Sequence, residues 1–140
     1  MKALICFVIL LIFSACQMNS IIEAQNSFAQ QFFHQIQAPG NIVVSPLSIH
    51  TALFMVMTGA RGKSLEEMQN VLHLNLTSET LNQVNQTMKS LQTEESKLAN
   101  AFWVEQDFRI VPEFKQTLND YFQAELGIAN FKHQPEQARI

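Results

Sequence analysis

The sequence predicts a helix-rich α+β fold for this chain of 140 residues. Three observations point to it. Proline and glycine cut the chain into segments whose apolar residues recur every three or four positions, the helical period. Short apolar runs, Ile42–Val44, Phe102–Val104 and Ile128–Phe131, interrupt those segments with the residue types that favour strands. Finally, Leu47 to Met57 is apolar almost all the way round, broken only by Ser48, His50 and Thr51 among its polar residues. A helix of that kind is expected in the middle of a large protein or in a membrane.

The elements come in this order. Phe28, Phe32 and Ile36 stand at i, i+4 and i+8, with Ala29 and Phe33 beside them, and predict an amphipathic helix over Glu23–Gln37. Pro39-Gly40 stops it. Ile42–Val44 reads as a strand buried on both faces. Ser45 caps the apolar helix and Pro46 opens it, because proline loses nothing at the first helical position. That apolar run is too short for a membrane span, which needs about 20 residues. Beyond Gly59 and Gly62, Ser64-Leu65-Glu66-Glu67 has capping-box spacing, and Leu65, Met68, Val71 and Leu72 form the next stripe. Thr77 or Ser78 caps a fourth helix with the line Leu81, Val84, Met88, Leu91. A strand centred on Phe102-Trp103-Val104 comes next. Pro112 begins a fifth helix with Phe114, Leu118 and Phe122 one turn apart. Gly127 is expected to break it before a last strand, Ile128–Phe131, and Pro135–Arg139 reads as the start of a further helix.

The first sixteen residues read as a secretory leader. Lys2 supplies the charge, Leu4–Phe13 the apolar stretch, and Ser14 and Cys16 the small residues before cleavage at Gln17. Both cysteines, Cys6 and Cys16, leave with it, so residues 17–140 must rest on an apolar core without disulfides. With Lys2 gone, the nine basic residues become eight against twelve acidic ones, a formal charge of −4. No basic patch remains. Nucleic acid and, for the mature form, a membrane surface are not expected partners.

Few residues carry chemistry. His34, His50, His73 and His133 are scattered without ligand spacing, so no metal or other cofactor is expected. Ser45, Ser48 and His50 lack a G-x-S-x-G elbow, and no catalytic residue is assigned. Asn75-Leu-Thr77 and Asn85-Gln-Thr87 are N-glycosylation acceptors. Asn75 is the better one, since Asn85 falls within a helix. Ser45 reads as a helix cap, and Asn41 and Ser48 as polar groups on apolar elements.

Longer stretches resemble a known family, the serpins. Asn41-Ile-Val-Val-Ser-Pro-Leu-Ser-Ile resembles that family's strand into its central helix. Thr58-Gly-Ala-Arg-Gly-Lys-Ser is similar to the glycine turn that leaves it. Leu98-Ala-Asn-Ala-Phe-Trp-Val-Glu resembles the large-sheet strand that comes after the fourth helix. Phe108 to Phe131 matches the next helix and strand in order and spacing. The resemblance implies that residues 17–140 are the N-terminal portion of a serpin domain. It would hold five helices, two strands of the large sheet and one of the second, ending before the remaining strands and the reactive loop. It also implies a role for Asn41, Ser45 and Ser48 in the shutter, the polar base over which the large sheet opens.

The function this resemblance implies is that of a secreted serine protease inhibitor, here a fragment that is not inhibitory by itself. In serpins a protease cuts the reactive loop and the loop enters the sheet as a new strand, a case of strand addition. No reactive site falls within residues 17–140, so a serine protease is the partner expected of the full-length form only. Lys89 and Lys97 are too few to form a heparin site. The alternatives are a secreted, non-inhibitory serpin-like binding protein and a small helical carrier of apolar ligands.

Overall fold

The computed structural model describes residues 20–37, 39–95 and 98–136. The expected leader, Lys97, Ala138 and Arg139 lie outside the described residues, while Pro135 and Glu136 form a turn. The chain divides into two compact units, Met1–Gln83 and Val84–Ile140.

In the first unit, α1 spans Ser20–Gln35. Ile21, Ala24 and Phe28 form its buried stripe, and Phe32 continues it half-buried, its ring stacked on Phe28 with centroids 5.9 Å apart. The helix therefore starts earlier than expected and leaves Ile36 and Gln37 beyond its end. Next, α2 spans Pro46–Gly59, with Pro46 in its first turn and the Ser45 side chain accepting from the Ser48 amide. Its C-terminal carbonyls are met by the guanidinium of Arg61, whose Nη1 donates to Thr58 O at 3.2 Å and Ala60 O at 2.7 Å. That satisfies groups a helix end leaves without an intrahelical partner.

The helix α3, Gly62–Leu72, corrects the expected capping box. Ala60 and Arg61 are extended, and Gly62 takes a positive φ of 58° as the first helical residue. Ser64 is thus already inside the first turn and does not cap. Of the expected stripe, Leu72 is buried and Leu65 and Met68 are half-buried, but Val71 is exposed; Leu74, just past the helix, is buried as well. His73 ends the helix in the left-handed conformation. Thr77, not Ser78, caps α4, Ser78–Leu91. Its Oγ1 accepts from Thr80 N at 3.1 Å while Thr80 Oγ1 accepts from Thr77 N at 3.1 Å. Along α4, Val84 and Met88 are buried, and Leu81 and Leu91 half-buried.

The second unit begins within α4, at Val84, and holds β1 (Asn100–Glu105), α5 (Pro112–Phe122) and β2 (Ala124–Ala129). The strands pair in parallel, from Asn100 with Ala124 to Glu105 with Ala129, an arrangement that needs a crossover such as α5. Leu118 and Phe122 are fully buried, and the Phe114 ring meets Phe102 edge to face at 5.4 Å. Asn100 Nδ2 donates to Phe122 O at 3.0 Å and ties the start of β1 to the end of α5.

Two expectations about strands are corrected here. Gly127 does not break α5; Gln123 ends it in the left-handed conformation, with φ 51°. Gly127 lies inside β2, where a Cβ would stand 2.4 Å from Cε3 of Trp103. The absent side chain makes room for the indole of its cross-strand partner. Ile42–Val44 is extended but unpaired among the described residues, and Val43 is 98% exposed. Without a neighbour to hydrogen-bond it, the segment does not become a strand.

Candidate functional site

The candidate site is the polar end of α2 and the face that continues from it. Ser45 and Ser48 are one helical turn apart, and the cap brings them together: their Oγ atoms are 2.9 Å apart, and Ser48 N donates to Ser45 Oγ at 3.3 Å. Both are exposed, as is Asn41 on the extended segment ahead of them. From Ser48 an exposed line runs along α2 through Ala52, Val56 and Gly59, with Val56 45% exposed. These positions are four, four and three residues apart, so they share one helix face.

The opposite side is inverted in polarity. His50, Thr51 and Thr58 are buried together with Phe54, Met55 and Met57. Thr58 donates its hydroxyl proton to Met55 O at 2.7 Å, within its own helix. His50 reaches across to α3, where its Nε2 lies 3.1 Å from Leu72 O. A carbonyl can only accept, so Nε2 carries the proton and Nδ1 is the bare nitrogen. Nδ1 and Thr51 Oγ1 are both enclosed without a hydrogen-bond partner among the described residues. The Phe28 ring stands edge to face with the imidazole, centroids 5.3 Å apart. Burial lowers the pKa of His50 below the ordinary 6.5; the Leu72 carbonyl opposes the shift and His73 adds to it. The imidazole is therefore a neutral joint between α2 and α3. In the sequence it is only one of four scattered histidines, with no motif to single it out.

This arrangement ties polar groups to one another and to backbone, and no Ser–His hydrogen bond is present among the described residues. The two serine hydroxyls are bonded to one another, and His50 is turned away to Leu72. His34, His73 and His133 are exposed, and no cluster among the described residues could hold a metal ion. No described helix is long and apolar enough to cross a membrane. Of the two glycosylation acceptors, Asn75 is exposed between α3 and α4, whereas Asn85 lies half-buried on α4.

Comparison with known proteins places this architecture. Residues 23–140 match the family model described as Serpin (serine protease inhibitor). The leukocyte elastase inhibitor of Xenopus tropicalis is 33% identical over 132 residues, covering 87% of this chain and 34% of that protein. Serine protease inhibitor A3K of Mus musculus is 36% identical over 107 residues, 71% of this chain and 25% of that protein. Among solved structures, cleaved kallistatin complexed with heparin superposes with a TM-score of 0.75 at 24% identity. It covers 86% of this chain and 38% of that one. The chain thus spans about a third of the length of relatives such as the frog inhibitor.

Proposed function

The chain belongs to the serpin family, and on that basis we propose that it is the N-terminal part of a secreted inhibitor of serine proteases. In this reading the protein is not an enzyme. It traps one, by offering a loop that is cleaved and then inserted into the large sheet. Residues 17–140 supply two strands of that sheet, β1 and β2, and the bed over which it opens. Asn41, Ser45 and Ser48 form the polar end of the bed. The face through Ala52 and Val56 continues it with small or slim side chains, over which a strand can shift without climbing past large ones.

The family match over residues 23–140 carries this proposal. The exposed α2 face supports it: a central helix is expected to lie under a sheet, and the face that Ser48 opens is the one left open to solvent. Secretion rests on the leader pattern of residues 1–16, with cleavage before Gln17.

The test is to incubate the full-length secreted product with elastase-, chymotrypsin- and trypsin-like enzymes and look for a covalent complex that survives denaturation. At least one such complex is expected. A polypeptide of residues 17–140 alone is expected to be degraded, since it lacks a loop to be cut and most of a sheet to receive it. A trapped complex formed by residues 17–140, or none formed by the full-length product with any of the three classes, would overturn the reading. N-terminal sequencing of the secreted material, expected to begin at Gln17, checks the leader.

A further inference from the structure

The two glycosylation acceptors are equal as sequence but not as structure. Asn75 sits in the connection between α3 and α4, in the run Leu74-Asn75-Leu76. Leu74 is buried and Leu76 half-buried, so the residue between them is turned out to solvent. The connection is braced, and its bonds use backbone groups and other side chains. Leu76 N donates to Gln69 Oε1 at 2.9 Å, Leu74 N to Gln69 O at 3.1 Å, and Thr80 Oγ1 to Asn75 O at 2.7 Å. None of these contacts engages the Asn75 amide. A modifying enzyme's product there would project from a fixed, exposed point.

Asn85 is the opposite case. It lies within α4, half-buried, and its Nδ2 donates to the backbone carbonyl of Asp120 on α5. Its Oδ1 is enclosed without a hydrogen-bond partner among the described residues. Nδ2 is the atom an N-linked sugar occupies, so a glycan at half-buried Asn85 would crowd the Asp120 backbone that the same nitrogen meets. It would keep α4 and α5 from closing.

We propose, resting on the secretory reading above, that Asn75 is modified with an N-linked oligosaccharide and that native molecules carry none at Asn85. The co-reactant is a lipid-linked oligosaccharyl pyrophosphate of the secretory membrane. The C1–O bond to its pyrophosphate breaks and a C1–Nδ2 bond forms. The lipid pyrophosphate leaves with the electron pair, and one Nδ2 proton passes to a base of the transferring enzyme.

The experiment uses the full-length product secreted from a eukaryotic host, once with its own residues 1–16 and once with a proven foreign leader. Glycan release by a peptide amidase, which converts the modified asparagine to aspartate, is followed by peptide mapping of positions 75 and 85. Conversion at Asn75 alone is expected, with the matching mass shift lost in Asn75→Gln and kept in Asn85→Gln. Conversion at Asn85 in folded, secreted protein, or an unconverted Asn75 behind the foreign leader, would overturn the assignment. A bare product behind its own leader with a sugar on Asn75 behind the foreign one upholds the site and sinks the secretory reading instead.

Discussion

Substituting Gly127 by alanine should cost stability through one neighbour, Trp103. A Cβ at position 127 would stand 2.4, 2.6 and 2.7 Å from Cε3, Cζ3 and Cδ2 of that indole. Carbon atoms in contact rest about 3.5–4.0 Å apart, so the ring must retreat by about 1 Å or swing off the sheet. Overpacking of this size costs about 1–3 kcal/mol. Because Trp103 is 59% exposed, part of the clash can be relieved into solvent. Removing a glycine from a strand also returns about 0.5–1 kcal/mol of backbone entropy. The net expectation is a loss of about 1–2 kcal/mol. The assay is denaturant unfolding of the full-length product in a double-mutant cycle with Trp103→Ala. With the indole gone, Gly127→Ala should become neutral or mildly stabilising, giving a coupling of about 1 kcal/mol or more. If the alanine costs the same in both backgrounds, the close approach of Trp103 is not why position 127 is glycine.

Acid should loosen the α2–α3 joint. His50 has its pKa lowered by burial, so below the ordinary 6.5 the unfolded chain takes up the proton first. Its contribution to stability is whole above that value and falls as pH drops from 6.5 towards the folded-state pKa, by up to about 1.4 kcal/mol per pH unit. The neighbouring His73 acts in the same direction on His50. Comparing melts of wild type and His50→Gln from pH 7.5 to 5 checks this; an unchanged slope in the variant would refute it. Ser45→Ala, which removes the α2 cap, should lower stability by about 1 kcal/mol, measured by the denaturant midpoint, while Ser48→Ala costs less. A polypeptide of residues 17–140 should associate and bind apolar dyes, because Val43, Trp103, Phe108, Val111 and Ile128 are each more than half exposed. Sedimentation velocity checks it, and a monomer with a sharp cooperative melt would contradict it.

Much of the fold can be read in the sequence because local signals and tertiary packing agree there. Ser45-Pro46, Thr77 and Pro112 mark helix starts by their own chemistry, and the spacing of Phe114, Leu118 and Phe122 gives the buried side of α5. The errors fall where a distant partner overrides a local signal. Gly127 looks like a helix breaker, yet it is glycine because of an indole 24 residues earlier that the pattern around it cannot show. Ser64 has a capping partner at the right distance, but the backbone turns helical at Gly62 first. Ile42–Val44 has strand composition, but no strand among the described residues pairs with it.

The site is half legible. That Ser45 and Ser48 meet follows from their spacing. Which side of α2 faces out does not, since nearly every residue is apolar. The polar ones turn inward, His50 to the Leu72 carbonyl and Thr58 to its own helix, while Val56 turns out. Hydrophobicity alone would place them the other way. The buried histidine carries no motif, so only its environment identifies it.

If the chain is the N-terminal part of a larger serpin domain, the exposed face of α2 is the underside of a sheet interface. Thiol labelling of Val56→Cys decides whether it is. Residues 17–140 contain no cysteine of their own, so the reaction reports one position, and in the full-length product peptide mapping isolates it. Labelling should be fast in residues 17–140 alone and strongly suppressed in the full-length product. Slow labelling in both would show that residues 17–140 cover this face themselves, and equally fast labelling in both would show that no sheet lies over it.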